Sequence, residues 1–118
     1  MSKAMTTKRA HAQRRAHRTR ARIHGTAVTP RLTVKRSAKH IYAQLINDDA
    51  GMTLVGVSDK HVDAHGTPME IAKAVGTLLA QKAKDAGVNS VIFDRGAYRF
   101  HGRIAALAEG AREGGLTF

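Results

Sequence analysis

The chain has 118 residues, with 20 Lys and Arg against 9 Asp and Glu, and no Cys or Trp. That length suits one domain, or one small domain with a tail. The lack of Cys excludes disulfides, thiolate metal sites and a cysteine nucleophile. No segment approaches the roughly 18 to 20 uninterrupted apolar residues of a membrane-spanning helix. Aromatic residues make up only 4%, too few for a multi-base stacking platform, whereas the net charge of +11 predicts a polyanionic partner.

The positive charge is concentrated at the N-terminal end of the chain. Residues 1–40 contain 12 Lys and Arg and no acid, because the first acid is Asp48. Residues 41–118 contain the other 8 cations and all 9 acids, so this part carries a net charge of −1. We therefore predict a near-neutral globular domain over residues 28–118 and a basic arm over residues 1–27.

The arm has the composition of a cationic helix. Ala, Arg, Gln and Lys dominate from Lys8 to Arg22, and Gly25 is a suitable end. On a helix, one cationic stripe would contain His11, Arg14, Arg15, Arg18 and Arg22. Because no acid lies one turn away, these charges repel one another, and we expect the helix to form only where phosphates neutralise it. Arg outnumbers Lys in the arm, which favours bidentate phosphate contacts.

Three other interpretations of the arm compete with phosphate binding. A mitochondrial transit peptide and an amphipathic membrane anchor both need an apolar face. The arm has only Met1, Met5 and Ile23 as bulky apolar residues, which argues against both. A solvated, disordered tail remains open as the third interpretation.

Beyond the arm, the hydrophobic pattern predicts one α/β domain. Residues 31–36 and 40–47 alternate between polar and apolar, as half-buried strands do. Residues 53–58 give a third strand, and the short links between the three predict an antiparallel meander. Thr67, Pro68 and Glu70 form a capping box that begins a helix closed by Gly87. Residues 90–93 are apolar on both faces, which predicts a central strand. Gly102–Arg112 has the period of a second helix.

These elements give the order βββαβα. The fold class predicted is therefore a single two-layer α/β sandwich, with a mixed sheet and two helices. The basic N-terminal extension is expected to be helical when bound.

Few residues suggest catalysis or metal binding. His61 and His65 have the spacing of a helical metal pair, but Gly66 and Pro68 follow and no third ligand is near, so an exposed loop is favoured. Asp48 and Asp49 mark a turn rather than a catalytic pair of carboxylates. Gly-rich phosphate loops are absent from the sequence. We expect no enzyme activity, no cofactor and no metal.

The segment from Asp94 to Arg103 is more informative. It contains three Arg, one His, two aromatic residues and two Gly, between a strand and a helix. Glycines let a backbone approach closely, arginines bind phosphates, and Tyr98 or Phe100 could stack on bases, which suits contact with a folded nucleic acid. A structural alternative stays open: the aromatic rings cover the core, and Asp94 pairs with Arg95.

Three longer motifs resemble a known family. They are TPRLTVKRSAKHIYAQLI at 29–46, VIFDRGAYRFHGRI at 91–104 and AREGGLTF at 111–118. In this order they resemble bacterial large-subunit ribosomal protein eighteen, over essentially the whole chain. The family pattern has Asn in place of Ala38 and a second Gly in place of Ala97. The resemblance implies that the arm and the Arg31–Tyr42 hairpin contact 5S rRNA. It also implies that the protein helps join 5S to 23S rRNA beside the other ribosomal proteins of the central protuberance.

We therefore predict a non-catalytic rRNA-binding protein, cytoplasmic on the ribosome, with no membrane and no small-molecule substrate. The residues predicted to contact RNA are Lys8, Arg9, Arg14, Arg15, Arg18, Arg20, Arg22, Arg31, Arg36, Lys39, His40, Tyr42, Arg95, Tyr98, Arg99, His101 and Arg103. A sequence-tolerant DNA-binding module is the main rival, although the helix after Thr67 offers mostly core residues and lysines. An RNA hydrolase is a weaker rival, because clustered carboxylates are missing.

Overall fold

The computed structural model describes residues 3–20, 23–62 and 66–118, without the side chains of residues 3–7, 19 and 20. The predicted order βββαβα is confirmed, with a further helix in the N-terminal arm. The elements are α1 (Lys3–Arg20), β1 (Arg31–Arg36), β2 (Ile41–Asn47), β3 (Met52–Ser58), a single 3₁₀ turn (Asp59–His61), α2 (Pro68–Asp85), β4 (Ile92–Asp94) and α3 (Gly102–Glu113).

The four strands form one mixed sheet in the order β3-β2-β1-β4. β1, β2 and β3 are antiparallel neighbours, whereas β4 lies parallel to β1. Polar and apolar residues alternate along β1 and β2, so every second side chain lies on the core face of the sheet. Leu32, Val34 and Leu45 are buried there. α2 and α3 cover that face and complete the two-layer sandwich.

The capping box predicted at the start of α2 is formed in the structure. The Thr67 side chain accepts a hydrogen bond from the Glu70 N–H, and the Glu70 carboxylate accepts one from the Thr67 N–H. α2 and α3 then pack closely because two glycines lie at their contact. A Cβ at Gly76 would collide with the Leu107 carbonyl, and one at Gly110 with the Lys73 carbonyl.

The prediction of a central fourth strand is wrong. β4 lies at the edge of the sheet, where, among the described strands, it pairs with β1 alone. Its apolar residues are covered by aromatic rings instead: Phe93 stacks on Phe118 at 5.7 Å and meets Phe100 edge-on at 5.6 Å. The C-terminal segment is held there because Thr117 bonds to the backbone of Asn89 and Val91.

The segment before β1 is tied to the domain. The Gly25 N–H donates to Asp48 Oδ2 at 2.7 Å, and the Asp48 N–H donates to the Gly25 carbonyl at 2.9 Å. Gly25 is buried, and a Cβ there would collide with the Arg31 nitrogen and the Ile46 carbonyl. Attachment to the domain therefore begins before residue 28, the boundary predicted from charge and pattern.

α1 lies over the opposite face of the sheet from α2 and α3. Ala16 and His17 of α1 face Thr33 and Lys35 of β1 across a cavity of about 570 Å³. In the described parts of the chain, no helix is long and apolar enough to cross a membrane. The dependence of α1 on bound RNA stays a prediction.

Candidate nucleic-acid interface

The arm helix presents its cations outward. Ala12 and Ala16, one turn apart, are half-buried, whereas the charged side chains around them are exposed. The exposed cations among the predicted contact residues are Lys8, Arg9, Arg14, Arg15 and Arg18. Arg20 lies in α1 without a described side chain, and Arg22 lies outside the described residues.

A tight turn after β4 holds the second group of arginines. Asp94 Oδ1 accepts a hydrogen bond from the Gly96 N–H at 2.9 Å, and the Tyr98 N–H donates to the Arg95 carbonyl at 3.1 Å. Gly96 has φ 61°, a conformation that glycine adopts without steric cost. Arg95 and Arg99 therefore flank a defined turn in the chain, and both are exposed.

The last helix begins after this turn. α3 starts at Gly102, so Arg99 lies outside it, and only Arg103 occupies its first turn. His101 is the N-cap residue but makes no side-chain capping bond. Arg103 is half-buried and His101 is exposed. Arg95, Arg99 and Arg103 consequently do not share a helical face, despite their spacing of four residues.

Tyr98 connects the turn to β1. Its hydroxyl accepts a hydrogen bond from the Arg36 N–H and donates one to the Arg36 carbonyl, both at 3.1 Å. The Arg36 guanidinium lies 5.5 Å from the centre of the Tyr98 ring, within the range of a cation–π contact. Tyr98, predicted as a base-stacking residue, thus has a positioning role in the protein.

Arg31, predicted to contact RNA, is largely inaccessible in the structure. Its side chain is 11% exposed and forms ion pairs with Asp48 at 3.1 Å and Asp94 at 2.8 Å. Burial lowers the pKa of Arg31, but the hydrogen bonds and charges of Asp48 and Asp94 outweigh it and raise the pKa above its ordinary value. Asp94 therefore pairs with Arg31, and the alternative that it pairs with Arg95 is wrong.

The β1–β2 hairpin presents three further predicted residues, Lys39 and His40 in the turn and Tyr42 in β2. Lys39 is exposed there. His40 Nδ1 lies 2.9 Å from Asp59 Oδ2, and the Tyr42 ring stands 6.4 Å from that of His40, with 39% of Tyr42 exposed. His61 is also exposed, and its Nδ1 accepts a hydrogen bond from the Ser58 N–H. His65 lies outside the described residues.

α1 and the turn after β4 face each other across a cavity. Its volume is about 530 Å³, and its lining residues are Arg15, Arg18, Arg95, Gly96, Ala97, Tyr98 and Arg99. The arm and the segment after β4 were predicted separately as RNA contacts. The cavity brings them together although Arg18 and Arg95 are 77 positions apart in the chain.

Reasoning from the sequence missed the residues that hold this surface in place. Asp48 and Asp94 bind opposite sides of the Arg31 guanidinium and also fix Gly25 and Gly96. Their turn-forming context was visible, but their common partner was not. The available signal was that Asp48 and Asp94 are two of very few acids near strongly basic segments.

The chain is similar to a known family along nearly its whole length. The family model described as ribosomal L18 of archaea, bacteria, mitochondria and chloroplasts matches residues 6–118. A large ribosomal subunit protein uL18 from Bifidobacterium animalis subsp. lactis is 56% identical over 113 residues, covering 93% of this chain and 92% of the relative. The protein of that name from Parvibaculum lavamentivorans is 52% identical over 118 residues, covering 97% and 100%. That from Latilactobacillus sakei is 57% identical over 108 residues, covering 90% and 91%.

The match extends from the basic arm through the final helix and includes each segment described above. Its length and the level of identity confirm the resemblance found in the motifs at 29–46, 91–104 and 111–118. The chain belongs to the ribosomal L18 family.

Proposed function

We propose that this protein binds 5S rRNA and helps attach it to 23S rRNA in the central protuberance of the large ribosomal subunit. Membership of a ribosomal protein family supports a structural role in a ribonucleoprotein. The observation that carries the RNA-binding role is the convergence of Arg15 and Arg18 from α1 with Arg95 and Arg99 from the turn after β4. Guanidinium groups bind phosphates through charge-assisted, bidentate hydrogen bonds.

The proposed RNA contacts include fewer residues than the sequence predicts. Arg31 is left out, because its guanidinium is already bound by Asp48 and Asp94. Tyr98 acts through its hydroxyl, which fixes the turn, while Tyr42 keeps an exposed ring that can stack on a base. The remaining basic residues form a surface for phosphate contacts on α1, the β1–β2 turn and the segment 95–103.

The architecture favours RNA over DNA. A DNA-binding module needs an element that enters the major groove and carries base-reading side chains. α2 buries Ala72, Val75 and Leu79 in the core, and α3 packs against a second side of it at Gly76, so little of α2 is left to enter a groove. A preorganised domain with a basic extension instead suits the irregular surface of a folded RNA, which is recognised by shape and phosphate position.

Binding to 5S rRNA and to duplex DNA of equal length, measured at one fixed salt concentration, tests the proposal. We expect clear preference for the RNA, and equal affinities would refute it. Affinity has to be compared at fixed salt because phosphate contacts make it strongly salt-dependent.

Single substitutions locate the surface. Arg99→Ala and Arg103→Ala should each weaken RNA binding by about 1 to 3 kcal/mol if their contacts are charge-assisted. Lys82→Ala is the matched control, since Lys82 is an exposed cation on α2, across the sheet from α1. Equal losses from all three variants would indicate a diffuse charge effect rather than a defined surface.

A further inference from the structure

We infer that the outer edge of β3 is a docking site for an extended, Lys- and Arg-rich segment of another protein of the large ribosomal subunit. We call it the β3 edge, and it consists of residues 48–61, which are β3 and the turns on either side of it. The inference goes beyond the proposed RNA binding, because the β3 edge contains none of the residues predicted to contact RNA.

Charge is distributed unevenly across the sheet. Residues 41–71, which contain β2 and β3, hold five acids and one cation, Lys60, for a net charge of −4. Residues 1–40 hold 12 cations and no acid. Because β3 and β4 are the two outermost strands, the β3 edge lies at the other end of the sheet from the basic turn after β4. An acidic surface repels RNA phosphates and attracts a cationic partner.

The acids around β3 leave negative charge on the surface. Asp49, in the turn before β3, has a side chain that is 63% exposed although it contacts His24. Glu70, in the first turn of α2, is also exposed. Lys and Arg side chains donate charge-assisted hydrogen bonds to carboxylates of this kind.

The hydrogen-bond pattern of the sheet shows which backbone groups of β3 point outward. At the β1–β2 turn, the Ser37 N–H bonds to the His40 carbonyl. Successive residues of antiparallel strands then alternate, one directing its N–H and carbonyl toward the partner strand and the next directing them away. Arg36 follows this rule, since its N–H and carbonyl bond to the Tyr98 hydroxyl on the side away from β2.

The same rule, continued through β2, identifies an unused backbone position on β3. Ala43 turns toward β3, so its partner Val57 bonds to β2, and the flanking Gly56 and Ser58 direct their backbone groups outward. The Ser58 N–H is bound by His61 Nδ1 at 3.0 Å, as expected for an outward-facing group. Among the described strands, none pairs with the outer side of β3. The N–H and carbonyl of Gly56 are therefore placed to bond with an added strand.

The surroundings of Gly56 leave room for that strand. Gly56 is exposed, and a Cβ there would have no atom within 4 Å. Met52, which is 57% exposed, and the half-buried Leu54 supply apolar contacts beside it. The irregular pairing at Leu54 and the contact of His61 with Ser58 keep the regular edge short. We therefore expect charge contacts to add to the affinity of a few backbone bonds.

The charges also select the occupant. A second copy of the chain would bring an equally acidic β3 edge, and the two edges would repel each other. The basic arm of a second copy is helical over Lys3–Arg20, so it lacks the extended backbone that pairs with a strand. An extended, cationic segment of a neighbouring protein satisfies the requirements of charge and of backbone.

Site-specific cross-linking in purified large subunits tests the inference. A photoreactive benzoylphenylalanine replaces Thr53, an exposed residue of β3, in the full chain. In the matched control it replaces Gln81, an exposed residue of α2. Mass spectrometry identifies the protein segment or the RNA to which each probe is joined.

We expect the probe at residue 53 to cross-link to a Lys- and Arg-rich segment of another ribosomal protein, and the probe at residue 81 not to reach that segment. Cross-linking at residue 53 to rRNA alone, to a second copy of the chain or to nothing would overturn the inference. So would cross-linking to a protein segment without an excess of Lys and Arg.

Two changes at Gly56 test the backbone pairing in the chain that carries the probe at residue 53. Gly56→Pro removes the outward N–H, and Gly56→Lys sets a cation against the cationic segment. We expect each to lower the cross-link yield by about 5-fold or more, whereas Gln81→Lys, which adds the same charge, should change it by less than about 2-fold. Circular dichroism shows whether each variant is folded, and Gly56→Lys decides if Gly56→Pro is not. Unchanged yields would overturn docking at Gly56.

Affinity for 5S rRNA separates this inference from the proposed function. Gly56→Pro, or Gly56→Lys compared with Gln81→Lys, should leave that affinity unchanged within about 2-fold, because the β3 edge lies apart from the proposed RNA contacts. A loss as large as that of Arg99→Ala would put RNA at the β3 edge and overturn the inference. Wild-type protein that does not distinguish 5S rRNA from duplex DNA would overturn the proposed function alone.

Discussion

The Tyr98 hydroxyl completes the edge of β1 at Arg36. β4 pairs with β1 only as far as Thr33, so the backbone of Arg36 lies beyond the last residue of the neighbouring strand. There the Tyr98 hydroxyl accepts a hydrogen bond from the Arg36 N–H and donates one to the Arg36 carbonyl, both at 3.1 Å. One side chain thus replaces a missing strand residue and fixes the turn that carries Arg95 and Arg99.

Tyr98→Phe should weaken this attachment without removing the ring. We expect the free energy of unfolding to fall by about 1 kcal/mol, because two hydrogen bonds to a partly solvated backbone disappear. Urea denaturation measures it. Tyr42→Phe, on the exposed face of β2, is the control and should change stability by less than about 0.5 kcal/mol. Equal effects of the two changes would contradict the positioning role of Tyr98.

Arg31→Met should destabilise the fold strongly. Removal of the guanidinium takes away an ion-pair partner from Asp48 and from Asp94, whose side chains are only 9% and 5% exposed. Breaking a buried ion pair by removing one partner costs about 3 to 5 kcal/mol. Arg99→Met, at an exposed arginine, should cost less than about 0.5 kcal/mol. Similar melting temperatures for the two variants would show that Arg31 is not structural.

The contribution of Arg31 should not depend on pH near neutrality. Its pKa is raised in the folded state, so its stabilising effect is complete below the unfolded-state pKa and is lost only as pH rises through the still higher folded-state pKa. The difference in unfolding free energy between wild type and Arg31→Met should therefore stay constant between about pH 6 and 9. A steady fall of this difference within that window would contradict a permanently charged Arg31.

Phe93→Ala should remove the centre of the aromatic cluster over the sheet edge. Phe93 contacts both Phe100 and Phe118, and it is half-buried, so we expect stability to fall by about 3 kcal/mol, the low end for Phe truncation. Phe100 is 48% exposed, and Phe100→Ala should cost less than half as much. Thermal and urea unfolding give both values, and a larger effect of Phe100→Ala would reverse this ranking.

Truncation of the arm should separate binding from folding. Deletion of residues 1–20 removes α1 but keeps the bonds between Gly25 and Asp48, so the domain should remain folded. RNA affinity should fall, and the slope of its salt dependence should flatten by roughly 0.7 to 0.9 for each phosphate that the protein no longer neutralises. Unchanged affinity throughout a salt titration would show that the arm does not bind RNA.

A longer deletion, of residues 1–27, is compared with the deletion of residues 1–20. It also removes Gly25, whose N–H and carbonyl both bond to Asp48. We expect this longer deletion to lower stability as well as affinity. Equal stability of the two truncated proteins would place the start of the folded domain at residue 28, as charge and pattern predict.

Local patterns in the sequence were sufficient to predict the strands and helices of the domain and the family of the chain. Alternation over residues 31–36 and the capping box at Thr67 are local signals, and both correspond to observed elements because strand and helix periods are properties of neighbouring residues. The concentration of cations in the first 40 residues likewise needed no structure to predict a polyanionic partner.

Which of these cations stays accessible to a polyanion depends on the tertiary structure. Arg31 and Arg99 are both arginines in basic segments, and the sequence does not distinguish their roles. In the structure, Arg31 lies between Asp48 and Asp94, whereas Arg99 is exposed and lines the cavity between α1 and the turn after β4. Tertiary contacts also explain residues 90–93, whose apolar side chains predict a central strand. The strand lies at the edge of the sheet, where Phe100 and Phe118 pack against Phe93. Both outcomes depend on contacts between residues distant in the chain, and local pattern carries no information about which distant groups will meet.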